Sequence, residues 1–102
     1  MTEPPMTLAG FQELIRDRYL EHDRKRGTPG TFMWFIEEVG ELSTALQKAA
    51  GHGANTSGGE NLEEEFADVL AWLCTLANIE GVDLERAVRK KYCVDSPPTD
   101  RK

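Results

Sequence analysis

Four carboxylates are placed to do chemistry. Glu38 and Glu41 lie in Phe35-Ile-Glu-Glu-Val-Gly-Glu-Leu42, and Glu65 and Asp68 lie in Leu62-Glu-Glu-Glu-Phe-Ala-Asp-Val69. In each stretch the two acids are three residues apart on a helical apolar pattern, which puts their Cβ atoms roughly 5–6 Å apart on one helix surface. The interval from Glu38 to Glu65 equals that from Glu41 to Asp68, and it also carries Phe35 to Leu62, Val39 to Phe66, Leu42 to Val69 and Leu46 to Leu73. Two such helices laid antiparallel would bring four carboxylates to one point. Oxygen donors with no His or Cys among them suit a hard divalent cation, Mg²⁺ or Mn²⁺, better than zinc or iron. A di-iron carboxylate bundle would want Glu-x-x-His, and neither stretch has a His.

The competing reading is a solvated acidic face. Such a face is expected to carry Lys or Arg three or four residues from each acid, where a pair contributes about 0.2–0.5 kcal/mol. Here Glu38 has Trp34, Phe35 and Leu42 at those positions, Glu41 has Glu37, Thr44 and Ala45, Glu65 has Asn61, Leu62 and Val69, and Asp68 has Glu64, Ala71 and Trp72. Like charges stacked beside apolar surface without local compensation are costly unless a cation comes from outside.

The elements that must position these acids follow from periodicity and capping signals. Leu8, Phe11, Leu14, Ile15 and Tyr19 predict a first helix from the N-cap Thr7 to about Arg24. His22 near its end reads as a surface residue favoured by the helix dipole. Asp23 to Gly30 reads as a turn, and its Arg24, Lys25 and Arg26 form either a dipole-complementing end or a phosphate-steering patch. A second helix is expected from about Thr31 to Gly51, with Gly40 hinting at close approach of another backbone. Residues 52–60, rich in Gly, read as a linker with a lid as the functional alternative. A third helix opens at Asn61 with Glu64 completing a capping box, and apolar residues around most of its circumference predict that it is central and buried. Gly81 ends it, and a fourth helix runs from Asp83 to about Tyr92 with acids early and bases late. The expected fold is therefore all-α, a four-helix bundle over residues 7–92 with loose ends at 1–6 and 93–102, assembled through a helix-mediated dimer because so small a chain can hardly cover the third helix.

With 102 residues and a formal charge of −6, the chain lacks the basic stripe a nucleic-acid polymer needs. No apolar run approaches a membrane span, and no basic segment precedes an apolar one, so a cytoplasmic protein is expected. Cys74 and Cys93 make no metal-ligand spacing.

At the acidic stretches the sequence resembles the MazG-type, all-α nucleoside triphosphate pyrophosphohydrolases, whose signature is Glu-Glu-x-x-Glu and then, after a variable gap, Glu-x-x-Asp. Here these are Glu37-Glu38-x-x-Glu41 and Glu65-x-x-Asp68. The likeness runs over roughly residues 8–92, through Arg26-Gly27, Thr31-Phe32 and Trp34 before the first motif and Leu84 to Tyr92 after the second, and the size is that of the short stand-alone members. The chain departs from the pattern in its longer, Gly-rich 51–60 gap. The resemblance implies Mg²⁺-dependent hydrolysis between the α and β phosphates to monophosphate and pyrophosphate. It implies Glu38, Glu41, Glu65 and Asp68 as metal ligands, with Glu37 as a supporting acid or base for the attacking water. It also implies dimers or dimer-of-dimers tetramers, and phosphate contact from Lys90 and Lys91. Trp34 and Phe32, near the metal edge, are candidates to stack on a base, with helix packing as their structural alternative. A housekeeping role in clearing unwanted or non-standard nucleotides is the first functional expectation. A catalytically idle helical assembly module that keeps a cation-binding acidic core is the second.

Overall fold

The computed structural model describes residues 5–51 and 61–95. The linker or lid expected at 52–60 lies outside the described residues, as do 1–4 and 96–102 of the two expected loose ends. Three helices form, α1 (Leu8–Ala49), α2 (Leu62–Glu80) and α3 (Leu84–Tyr92), and there is no strand among the described residues. None of these helices is long and apolar enough to cross a membrane.

Local signals account for most of the helix ends. Thr7 is extended (φ −105°, ψ 162°) and its Oγ1 accepts from Gly10 N at 2.9 Å. Asp83 does the same for α3, accepting from Arg86 N at 3.0 Å. Gly81 closes α2 in the left-handed region (φ 72°), where it lets Val82 N reach back to Ala77 O at 2.8 Å. The capping box expected at Asn61 does not form. Asn61 sits in the helical region (φ −99°, ψ −4°) and makes no side-chain cap bond, since a capping side chain needs the extended backbone that Thr7 and Asp83 have.

The turn expected at Asp23 to Gly30 contracts to one residue. Gly27 takes φ 80° and ψ 172°, a region essentially restricted to glycine, and α1 changes direction there without otherwise leaving the helix. Pro29 follows in the first turn of the second arm, where its missing N–H is no loss and its ring has no preceding helical turn to clash with. The first two of the four expected helices are thus joined end to end across Gly27 as the two arms of α1.

Both arms of α1 pack on α2. The second arm runs antiparallel to it: Thr28 Oγ1 donates to Glu80 Oε2 at 2.5 Å, Trp34 stacks on Trp72, and Glu38 meets Glu65 and Asp68. The first arm is locked at its start by Gln12, only 9% exposed, whose Nε2 donates to Asn78 Oδ1 and Val82 O while its Oε1 accepts from Leu84 N. The buried apolar set is Ile15, Ala45, Cys74 and Ala77. As expected of so small a chain, α2 is not buried all round within one copy. Phe66 is 54% exposed and Leu70 and Leu73 are each 39% exposed, because the one neighbouring helix pair covers one side only. Nothing stands within 4 Å of a Cβ built on Gly40, so no close approach requires that glycine within one chain.

Candidate metal centre

The centre is built by the second arm of α1 and the first half of α2. Helical spacing places Glu38 and Glu41 one turn apart, and Glu65 and Asp68 answer them from α2. One carboxylate oxygen from each of Glu38, Glu65 and Asp68 lies within 4.8 Å of the others, with Glu38 and Glu65 half-buried and Asp68 exposed. Oxygens that share one octahedral Mg²⁺ span at most about 4.2 Å, so a small inward movement would close this set around an ion. Glu41 comes within side-chain hydrogen-bonding reach of both Glu38 and Glu65, a contact that two carboxylates hold only by sharing a proton or a cation.

The electrostatics of the cluster favour a cation. Partial burial, the hydrogen bond with Glu41 and the charges of Glu41, Asp68 and Glu65 push the Glu38 carboxyl up to about 7. Partial burial, then Glu41, Asp68 and Glu64, also raise Glu65. Glu38 Oε2 and Glu65 Oε2 are buried and have no hydrogen-bond partner. Buried acceptors without donors, crowded by like charge, are unfavourable as they stand and fit a hard, oxygen-seeking cation. The donor set thus suits Mg²⁺ or Mn²⁺.

Of the other residues singled out in the sequence, Glu37 is exposed on α1 and is not part of the three-carboxylate set. Trp34 stacks on Trp72 with ring centroids 6.3 Å apart and an interplanar angle of 16°. Phe32, half exposed, tilts against Phe35 at 6.2 Å. Arg26 is engaged within the fold. It donates to Asp23 Oδ1 at 2.6 Å and to Thr31 Oγ1 at 3.0 Å, and its guanidinium lies 5.1 Å from the Trp72 ring. A Cβ on Gly30 would come within 2.9 Å of Arg26 Cγ, so glycine there leaves room for the arginine stem. Lys90 and Lys91 are exposed in the last turn of α3, where Lys91 Nζ is 5.3 Å from the Tyr92 ring.

A cavity of about 210 Å³ adjoins the acids and is lined by Glu41, Thr44, Ala45, Lys48, Asn61 and Glu65. Lys48, two turns beyond Glu41, lies outside the three- and four-residue spacing at which a charge partner of these acids is legible in the sequence. Asp23 and Thr31, both buried at the kink and both bonded to Arg26, also carry no signal among the acidic motifs.

Comparison with known proteins agrees with this geometry. The family model of the MazG nucleotide pyrophosphohydrolase domain matches residues 28–93, well over half of the chain. The match begins at the kink and spans both acidic motifs, leaving out the first arm of α1. No curated protein matches the chain. With the signature acids converging across two antiparallel helical segments inside the matched region, the chain belongs to the MazG nucleotide pyrophosphohydrolase family.

Proposed function

We propose that this protein is a Mg²⁺-dependent nucleoside triphosphate pyrophosphohydrolase that converts its substrate to the monophosphate and pyrophosphate. Family membership supports nucleotide pyrophosphohydrolysis in general. The observation that carries the proposal for this chain is the like-charged cluster at Glu38, Glu65 and Asp68, with two buried carboxylate oxygens lacking any partner. Glu38, Glu41, Glu65 and Asp68 would hold the ion. When bound, the ion supplies neutralisation of phosphate oxygens and polarisation of a water, the chemistry that phosphoryl-group reactions chiefly require.

The remaining work falls to side chains. Glu37, exposed one residue before Glu38, is our candidate to take the proton of the attacking water. The half-exposed Trp34 and Phe32 offer apolar faces for a base, and Trp34 is held in place by its stack on Trp72. Arg26, Lys90 and Lys91 are candidate phosphate contacts, of which the two lysines are the freer, since Arg26 is tied to Asp23.

The apolar positions Val39 and Leu46 on α1 and Phe66, Leu70 and Leu73 on α2 remain open in one chain. We propose that a second copy covers them in a helix-mediated homodimer, with pairing of dimers into a tetramer as an extension. Light scattering is expected to give the dimer mass for the native chain and the monomer mass for Phe66→Glu/Leu73→Glu.

The activity is tested by incubating the full chain with Mg²⁺ and a panel of ribo- and deoxyribonucleoside triphosphates and separating the products. The expected outcome is monophosphate and pyrophosphate in equal amounts. Diphosphate with orthophosphate would contradict the reaction, and metal binding without turnover of any nucleotide would point to an idle assembly module.

A further inference from the structure

The cavity beside the acids has walls of mixed chemistry. Glu41 and Glu65 belong to the metal centre, while Lys48 brings a cation into the same space from the last turn of α1. Among the described residues, no ion pair uses that ammonium. The ion pairs among the described residues are Arg26 with Asp23 and Arg89 with Glu85, so Lys48 is not bonded to either glutamate although it shares their cavity. A lysine at a helix C-terminus is favoured by the macrodipole whichever way its chain points, so the dipole accounts for its presence but not for its place in this wall.

The neutral groups narrow the ligand further. The Thr44 hydroxyl already donates to Gly40 O at 3.2 Å, which leaves it as an acceptor. Asn61 makes no capping bond to its own helix, so its side-chain amide is not tied to α2. The donors left to the cavity are thus an ammonium and an amide, a pair that suits an oxyanion. A bare oxyanion would be repelled by Glu41 and Glu65. One already complexed to a divalent cation would not, because Glu41 and Glu65 would meet the cation's charge while Lys48 and Asn61 would donate to oxygens left free. The volume, about 210 Å³, is far above the roughly 10–15 Å³ that one water needs and admits a polyatomic group.

We infer that Lys48, with Asn61 beside it, forms a subsite for the metal-complexed phosphate chain and binds the pyrophosphate portion of the substrate. The inference rests on the reading that the substrate is a nucleoside triphosphate, and it adds a binding residue outside the acidic motifs. A single lysine–phosphate contact gives affinity through charge and hydrogen bonding without touching the ion itself, so its loss should separate anion binding from metal binding.

The test compares the native chain with Lys48→Met, which keeps most of the apolar stem, and Lys48→Arg, which keeps the charge. Inorganic pyrophosphate is titrated by calorimetry in the presence of Mg²⁺, Mn²⁺ is titrated alone, and steady-state kinetics are measured with the best nucleotide. For Lys48→Met the expected result is at least about tenfold weaker pyrophosphate binding and a similar rise in KM, with a smaller change in kcat. Mn²⁺ affinity and melting temperature should stay as in the native chain, and Lys48→Arg should recover most of the lost affinity. Native pyrophosphate affinity in Lys48→Met would overturn the subsite, as would a native chain that binds no pyrophosphate with Mg²⁺ present. If the native chain hydrolyses no nucleotide, the proposed reaction falls, while a pyrophosphate affinity that depends on Lys48 would still support the anion subsite.

Discussion

Asp23 and Glu38 are both acids drawn into the packing around α1, and the protein treats their charge in opposite ways. Asp23, 4% exposed, receives an arginine from one turn further along its own helix, and that arginine is fixed in turn by Thr31 and by the face of Trp72. Glu38 receives only more acid: Glu41 from its own helix and Glu65 and Asp68 from α2. Each of these two acids leaves one carboxylate oxygen without a hydrogen bond, Oδ2 of Asp23 and Oε2 of Glu38. An orphaned oxygen is therefore not what separates them. The difference is counter-charge, which the kink supplies from within and the acidic centre lacks, so only the second has reason to recruit a cation.

The comparison can be broken or sharpened by substitution. The largest effect is expected for Glu38→Gln. A divalent cation contributes several kcal/mol of charge stabilisation to phosphoryl chemistry, so turnover should fall on the order of 10²–10⁴-fold, measured as pyrophosphate release with saturating nucleotide. The same change should leave the metal-free fold at least as stable as the native chain, because it removes repulsion. Asp23→Ala should behave in the opposite sense. It strands the Arg26 guanidinium and should cost about 2–4 kcal/mol, lowering the melting temperature by roughly 10–20 °C. If both substitutions destabilise the metal-free chain equally, the contrast between the two sites is wrong.

A smaller effect is expected for Thr31→Val. Thr31 is fully buried and accepts from Arg26 Nε, so its loss should cost about 1 kcal/mol in thermal or denaturant unfolding. The gentlest effect is on pH dependence. The Glu38 carboxyl titrates near 7 in the folded chain against an ordinary value of 4.5, so the folded state holds the proton more tightly. Its stabilising effect is full below the ordinary value and is lost as pH rises through 7, so the melting temperature of the metal-free chain should fall across that window. Glu38→Gln should lack this segment of the profile, and Mg²⁺ should reverse it by favouring the deprotonated acid.

The parts of this molecule that depend on local rules were readable in the residues. Three-residue spacing fixes Glu38 next to Glu41 whatever surrounds them, and the shared interval between the motifs anticipated the meeting with Glu65 and Asp68. Thr7, Asp83 and Gly81 act at the ends they were expected to mark. The unreadable parts are tertiary. Arg26 looked like one of three surface bases; helical spacing pairs it with Asp23 one turn back, while the bend at Gly27 and the packing of α2 add Thr31 and Trp72. Gln12 carries no signal in the sequence, and only the docking of the turn between α2 and α3 shows that its amide bonds fix that corner. Asn61 carried the right residue type for a cap, but its backbone is in the helical region.

The central claim is that four carboxylates, uncompensated by the fold, hold a divalent ion. Titration of Mn²⁺ into the full chain, followed by electron paramagnetic resonance, tests it most directly. The account predicts saturable binding of at least one ion per chain, weakened by Glu65→Gln or Asp68→Asn and abolished when Glu38, Glu41, Glu65 and Asp68 are all replaced by their amides. Binding by the fourfold variant as tight as that of the native chain, or no saturable binding by the native chain, would contradict it.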